Sequence, residues 1–62
     1  MYEKIQNLLE KKGETAYQAA AATGISQTAF SNWKAGRTKP KFESLIILAK
    51  HFDVPLEYFL EE

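Results

Sequence analysis

Between Thr15 and Gly36 the chain carries two helix starts and two helix stops. The stretch reads T-A-Y-Q-A-A-A-A-T-G-I-S-Q-T-A-F-S-N-W-K-A-G. Thr15-Ala16-Tyr17-Gln18 fits a capping box, in which the threonine hydroxyl accepts one orphan amide and the glutamine reaches back to another. Ala19 to Ala22 has excellent helix propensity. Gly24, with no Cβ, can take the left-handed conformation that closes a helix. Ser26 offers a hydroxyl as the next N-cap. The second helix is expected from Gln27 to about Ala35, with Gly36 as its stop.

Two short helices joined by a tight turn containing glycine make a helix-turn-helix. Phe30 and Trp33 are three apart, so they share a face and point inward. Gln27, Thr28, Ser31 and Asn32 are then left facing away. All four are uncharged and able to hydrogen-bond. Side-chain amides suit adenine edges, and the threonine methyl suits the thymine methyl. In a helix-turn-helix that reads DNA, the exposed start of the second helix enters the major groove. Polar residues are also what any exposed helix face shows, so this surface needs support from elsewhere.

Charge supplies that support. The net charge over 62 residues is zero, which taken alone argues against a nucleic-acid partner. The distribution is uneven. Lys34, Arg37, Lys39 and Lys41 fall within eight residues that hold no acid. From residue 42 onward Glu43, Asp53, Glu57, Glu61 and Glu62 stand against Lys50 alone, and the first fourteen residues balance. A local basic stripe is enough to grip phosphates, because the nearby field matters more than the total. A solvated charged loop is the plainer reading of such a cluster. Its place directly after the expected reading helix favours nucleic acid.

The remainder reads as scaffold. Ile5, Leu8 and Leu9 form one buried stripe on a first helix from Tyr2 to Lys12, which Gly13 ends. Pro40 keeps the loop Arg37-Thr38-Lys39-Pro40-Lys41 out of helix. Phe42 to Phe52 forms a fourth helix with Leu45, Leu48, Ala49 and Phe52 inward. Ile46 and Ile47 lie off that stripe, and at most one of them should be buried from the side. With Tyr58 they form the candidate dimer or partner surface. Pro55 is expected at the first position of a last helix. Leu56 to Leu60 makes one or two turns there, with Leu56, Phe59 and Leu60 closing the core. The expected fold is therefore all-α: five helices in one compact domain over residues 1–62, with the helix-turn-helix at about 15–36.

Other chemistries lack their constellations. There is no cysteine and a single histidine, His51, so neither a zinc site nor a disulfide framework can be assembled. A lone histidine is more often a partly buried surface residue than a catalyst. Ser26, Ser31 and Ser44 have no glycine-rich elbow around them, and no phosphate loop is present. The expectation is no enzyme, no metal and no cofactor. The longest apolar run, Leu45 to Ala49, is far too short to cross a bilayer, and no secretory signal is visible at the start. A soluble, cytoplasmic, DNA-associated protein is expected, with no membrane partner.

The chain resembles the helix-turn-helix domain of the Cro/CI phage-repressor family, the Xre-like regulators, over essentially its whole length. The resemblance rests on T-G-I-S-Q at 23 to 27 and F-S-N-W-K-A-G-R-T-K-P at 30 to 40. Leu45, Leu48-Ala49-Lys50, Val54-Pro55-Leu56 and Tyr58-Phe59-Leu60 extend it. No one of these motifs is specific; their ordered spacing is. The family binds operator DNA as a dimer and regulates transcription. By resemblance, Gln27, Thr28 and Asn32 match base-reading positions. Ser31, Lys34, Arg37, Thr38 and Lys39 match positions that meet the backbone or flank the bases. The helix start at Thr15 and Tyr17, with the amides of Lys41 and Phe42, matches phosphate anchors, as helix N-termini bind anions.

The sequence departs from the family at several points. Ala16 stands where a phosphate-bracing glutamine is usual, and Ala19 where a large aliphatic is usual. Ala29 is also smaller than common. Lys34 replaces a common glutamate, and Lys41 is a poor cap where serine is usual. The central helices thus bring little volume to their contact. Either small residues pack closely there, with Tyr17, Phe30 and Trp33 refilling the space, or the contact is weakened.

The resemblance implies a prokaryotic or phage-encoded repressor that binds double-stranded DNA as a homodimer, at least when bound. It leaves room for a second domain or a protein partner. Arg37 is expected to act on the backbone, so that its loss weakens all sequences about equally. The alternative is a protein-interaction module, or an antitoxin component, built on the same fold.

Overall fold

The structure, a computed structural model, describes residues 2–60. Five helices follow in order: α1 (Tyr2–Lys12), α2 (Ala16–Thr23), α3 (Gln27–Ala35), α4 (Phe42–Phe52) and α5 (Glu57–Leu60). No strand occurs among the described residues.

Local signals explain the boundaries. At α2 the capping box forms in full: the Gln18 amide donates to Thr15 Oγ1 at 3.1 Å, and the Thr15 amide donates to Gln18 Oε1 at 2.9 Å. At the other end Gly24 sits at φ 78° and donates its amide to Ala20 O at 2.9 Å. Thr23 ties the turn from within. Its hydroxyl donates to Ala19 O at 2.7 Å and accepts from the Ile25 amide at 3.3 Å. Ser26 Oγ then accepts the Ala29 amide at 3.1 Å and starts α3. Ser26→Ala should cost about 1 kcal/mol, while Ser26→Gly costs only a few tenths. Urea midpoints of the two variants check this; equal losses would show that the serine cap is not the source.

One core gathers residues from every helix. Ile5, Leu8 and Leu9 come from α1, Ala19 and Ala20 from α2, and Phe30 and Trp33 from α3. Leu45, Leu48 and Ala49 come from α4, and Phe59 from α5. Ile5, Ala19 and Leu48 are wholly inaccessible. The small residues of α2 let it lie close to its neighbours, and the large rings of α3 supply the missing volume. Phe30 and Trp33 stack at a tilt of 57° with centroids 4.9 Å apart, a favoured aromatic arrangement. Tyr17 does not refill the space: it is 64% exposed.

Three expectations need correction near the C-terminal end. Pro55 is not the first helical residue, because α5 begins at Glu57. Instead Pro55 O and Leu56 O accept the amides of Tyr58 and Phe59, each three residues on, both at 3.0 Å. Leu60 does not close the core. It is 57% exposed, since Phe59 occupies the inward direction and the next residue of a helix points about 100° away. Leu56 and Phe52 are only half-buried, packed on the fringe of the core. As expected for the pair off the α4 stripe, Ile46 is half-buried and Ile47 stays exposed.

Two long-range polar links join distant parts of the chain. Lys4 Nζ donates to Tyr58 O at 2.8 Å and lies 5.6 Å from the centre of the Tyr58 ring. His51 Nε2 meets Glu14 Oε1 at 2.7 Å, tying the loop before α2 to α4.

Candidate nucleic-acid interface

Helix α3 is held by its two buried rings, and this decides what it can present. With Phe30 and Trp33 inward, Gln27, Thr28, Ser31 and Lys34 are exposed along the opposite side. Asn32 is half-buried at its edge. Gln27, Thr28 and Ser31 thus form an uninterrupted polar surface on the first two turns. The structure brings these candidates together; Asn32 stands slightly apart from them.

The end of α3 places the next candidates. Gly36 adopts φ 78°, a conformation that residues with a Cβ avoid. The chain turns back there, so that the Gly36 amide donates to Trp33 O at 3.1 Å and the Arg37 amide to Asn32 O at 3.0 Å. This pair of bonds is a Schellman closure. It also carries the Arg37 side chain back along the helix, where Nη1 donates to Asn32 Oδ1 at 3.1 Å. By sequence alone Arg37 and Asn32 are separate candidates. The signal that links them is their five-residue separation across a glycine stop, the spacing that such a closure brings together.

Arg37, Thr38, Lys39 and Lys41 are all exposed in the loop that follows, with Pro40 half-buried. The loop runs into α4 without a side-chain cap, for Lys41 makes no capping hydrogen bond. The first amides of α4 therefore have neither a helical carbonyl nor a side chain to satisfy them. A basic loop leading into uncapped amides is a favourable place for an anion.

The start of α2 is different. Thr15 uses both its hydroxyl and its amide in the capping box. What remains for an outside acceptor is the Thr15 hydroxyl proton, since Oγ1 only accepts in the cap, the amides of Ala16 and Tyr17, which begin the helix, and the exposed Tyr17 side chain. A groove of about 370 Å³ runs beside Ala16, lined by Tyr17, Gln27, Ser31 and Lys34 and by Tyr2 and Gln6 of α1. Burial pushes the Tyr2 phenol above its ordinary pKa.

The three residues expected to form a partner surface are not equivalent. Ile47 is 41% exposed, whereas Ile46 and Tyr58 are half-buried. Tyr58 is engaged within the chain by Lys4 and by an edge contact with Phe59 at 5.4 Å. The exposed Leu60 was not expected as part of any surface. His51 is not solitary either, given its bond to Glu14 from 37 residues away.

Among the described residues no helix is long and apolar enough to cross a membrane. None of their acidic and histidine side chains group in threes or more to hold a metal ion.

Comparison with known proteins agrees with the all-helical fold. Residues 5–59 match the family described as Helix-turn-helix. Over 58 residues the chain is 38% identical to the HTH-type transcriptional activator BcrR of Enterococcus faecalis. Over 58 residues it is 29% identical to the uncharacterized HTH-type transcriptional regulator YobD of Bacillus subtilis (strain 168). Each comparison takes in 94% of this chain but only 28% of the first relative and 52% of the second. The chain thus spans about a quarter and about half of the length of these relatives. No solved structure matches it significantly.

Proposed function

Because the chain belongs to the Cro/CI-type helix-turn-helix family of transcription regulators, we propose that it binds double-stranded DNA sequence-specifically, with α3 in the major groove. The observation that carries this reading is the exposed polar surface of Gln27, Thr28 and Ser31, set on a helix whose other side is locked by Phe30 and Trp33. In the proposed complex Gln27, Thr28 and Asn32 read bases. Ser31, Lys34, Arg37, Thr38, Lys39 and Tyr17 meet the backbone, together with the first amides of α2 and α4. Thr15 joins them through its hydroxyl proton, since in the cap its Oγ1 only accepts and its amide is the group engaged. Phosphate contacts supply most of the affinity and its salt dependence, and base contacts supply the choice of site.

The mechanism is occupancy of an operator by two copies of the chain, on one face of the duplex, reading half-sites about one helical turn apart. We read the outcome as repression in a prokaryotic or phage cytoplasm. The relative from Enterococcus faecalis is named an activator, and the same occupancy beside a promoter serves activation if the bound copy contacts polymerase. A reporter with the selected site placed over, or upstream of, a promoter separates the two signs.

Binding is tested by NMR amide shifts during titration with mixed-sequence duplex DNA, at low and then moderate salt. Shifts should concentrate at Thr15 to Tyr17, Gln27 to Asn32 and Arg37 to Phe42 and should fade with salt. A silent spectrum at low salt refutes the proposal. Gln27→Ala should relax preference at one base position by about 1–3 kcal/mol; unchanged discrimination at every position would remove Gln27 from the base-reading set.

A second reading has an observation of its own. Ile47 and Leu60 are large apolar side chains left in solvent, as on a module whose partner is a protein. Shifts confined to these residues on adding a candidate protein, with none on adding DNA, would favour it.

A further inference from the structure

We propose that His51 is a positioning residue that sets the charge beside the phosphate seat at the start of α2, so that binding of duplex DNA takes up a proton at its ring. The inference rests on the DNA-binding function proposed above.

His51 lies on α4, apart from the residues assigned to that function. Its Nε2 meets Glu14 Oε1 at 2.7 Å, and both side chains are half-buried. Glu14 immediately precedes Thr15, the N-cap of α2. It also lines the groove beside Ala16, together with Tyr17, Gln27, Ser31 and Lys34. A carboxylate is therefore held next to the amides on which the proposed complex seats a phosphate. The first turn of α2 contains no acid, so Glu14 is the anion nearest those amides in sequence.

An ionised carboxylate only accepts, so the ring donates from Nε2 whether it is neutral or charged. The second proton, taken from solvent, goes to Nδ1, and the bond to Glu14 survives. What changes is the charge of the pair. With a neutral ring the pair is an anion and opposes a phosphate on the Ala16 and Tyr17 amides. With Nδ1 protonated the pair is neutral and the opposition is gone. Phosphate and proton each raise the affinity for the other, by the same factor.

The effect is assignable, because the chain has one histidine. The groups on the elements about it keep their charge through the histidine range. α2 and α5 pack on α4; α2 brings only Tyr17, which is exposed, and α5 brings Glu57 and Tyr58. α1 ends in Glu10, Lys11 and Lys12, and α4 itself brings Lys50 and Asp53 beside the ring. Lysines, carboxylates and phenols ordinarily titrate outside the interval from about pH 5.5 to 7 in which imidazole does.

The test follows the His51 ring signal of the wild-type protein by NMR across pH, free and with saturating mixed-sequence duplex DNA, at about 0.1 M salt. DNA should raise the titration midpoint by about half a pH unit. Fluorescence anisotropy with the same duplex should give about threefold higher affinity at pH 5.5 than at pH 7.5. Both figures are the effect of one unit charge about 10 Å from a phosphate, at an effective dielectric constant of about 20 and screened over one Debye length. His51→Gln should lose the pH difference and keep the weaker affinity. Glu14→Gln should bind about threefold tighter than the wild type at pH 7.5, by the same charge arithmetic. Both variants are first matched to the wild type in helical circular dichroism, and the ring titration needs no variant. A bond that merely braced the fold would leave the ring midpoint unmoved by DNA and would make both variants weaker at every pH. An unmoved midpoint on bound DNA overturns the inference. So does a His51→Gln variant that keeps the wild-type pH dependence, or a Glu14→Gln variant that binds no tighter. If the duplex binds at neither pH, the DNA-binding function itself fails; binding with an unmoved midpoint sinks this inference alone.

Discussion

Trp33→Ala should abolish the cooperative fold at physiological temperature. Removing a buried tryptophan costs about 3–5 kcal/mol, part transfer and part cavity. A chain of 62 residues has roughly 3–9 kcal/mol to lose at ordinary per-residue stabilities. Trp33 is 8% exposed and stacks on Phe30, which is 2% exposed. The loss should appear as a broad, low thermal transition in far-ultraviolet circular dichroism. Ile47→Ala serves as control: its side chain is 41% exposed, so its transition should hardly move. A sharp Trp33→Ala transition at the wild-type midpoint would show that the alanines, not the rings, hold α3.

The second large effect is on affinity. Lys34, Lys39 and Lys41 are exposed and flank the proposed reading helix. Replacing all three by alanine, with Arg37 left in place, should lower DNA affinity on the order of a thousandfold at 0.05 M salt. The figure follows from counterion release, where each phosphate contact contributes about 0.9 to the logarithmic salt slope, or about tenfold in binding at that concentration. The slope of log affinity against log salt should fall by roughly 3, and base preference should stay as it was. Fluorescence anisotropy over a salt series measures both. An unchanged slope would mean that these lysines are merely solvated, and the phosphate grip would have to come from helix amides alone.

Four of the five helices were legible because their limits depend on neighbours in sequence. Thr15 with Gln18, Gly24, Ser26 and Gly36 each act within a few residues, and each does in the structure what its chemistry requires. The last helix was not so legible. It is one turn long, and in one turn the choice between Phe59 and Leu60 as the inward residue is made by the rest of the core, not by periodicity. The bond between His51 and Glu14 is invisible for the same reason, since nothing local connects residues 37 apart. At the candidate site the residue types were readable and their partnerships were not. That Arg37 reaches Asn32 depends on the left-handed turn at Gly36. That Tyr17 stays exposed beside Ala16 is likewise absent from the helical spacing.

The turn between α2 and α3 closes on itself. Thr23, Gly24 and Ser26 bond within the turn and the helices it joins. Its ordering entropy is therefore lost when the chain folds, and none is left to lose when a ligand arrives. In the proposed complex, recognition by α3 should then resemble the seating of a rigid key, with a heat-capacity change set by the surface covered. The open loop from Arg37 to Lys41 has no such internal bracing of its side chains beyond Arg37 itself, and any induced fit at the interface falls to it.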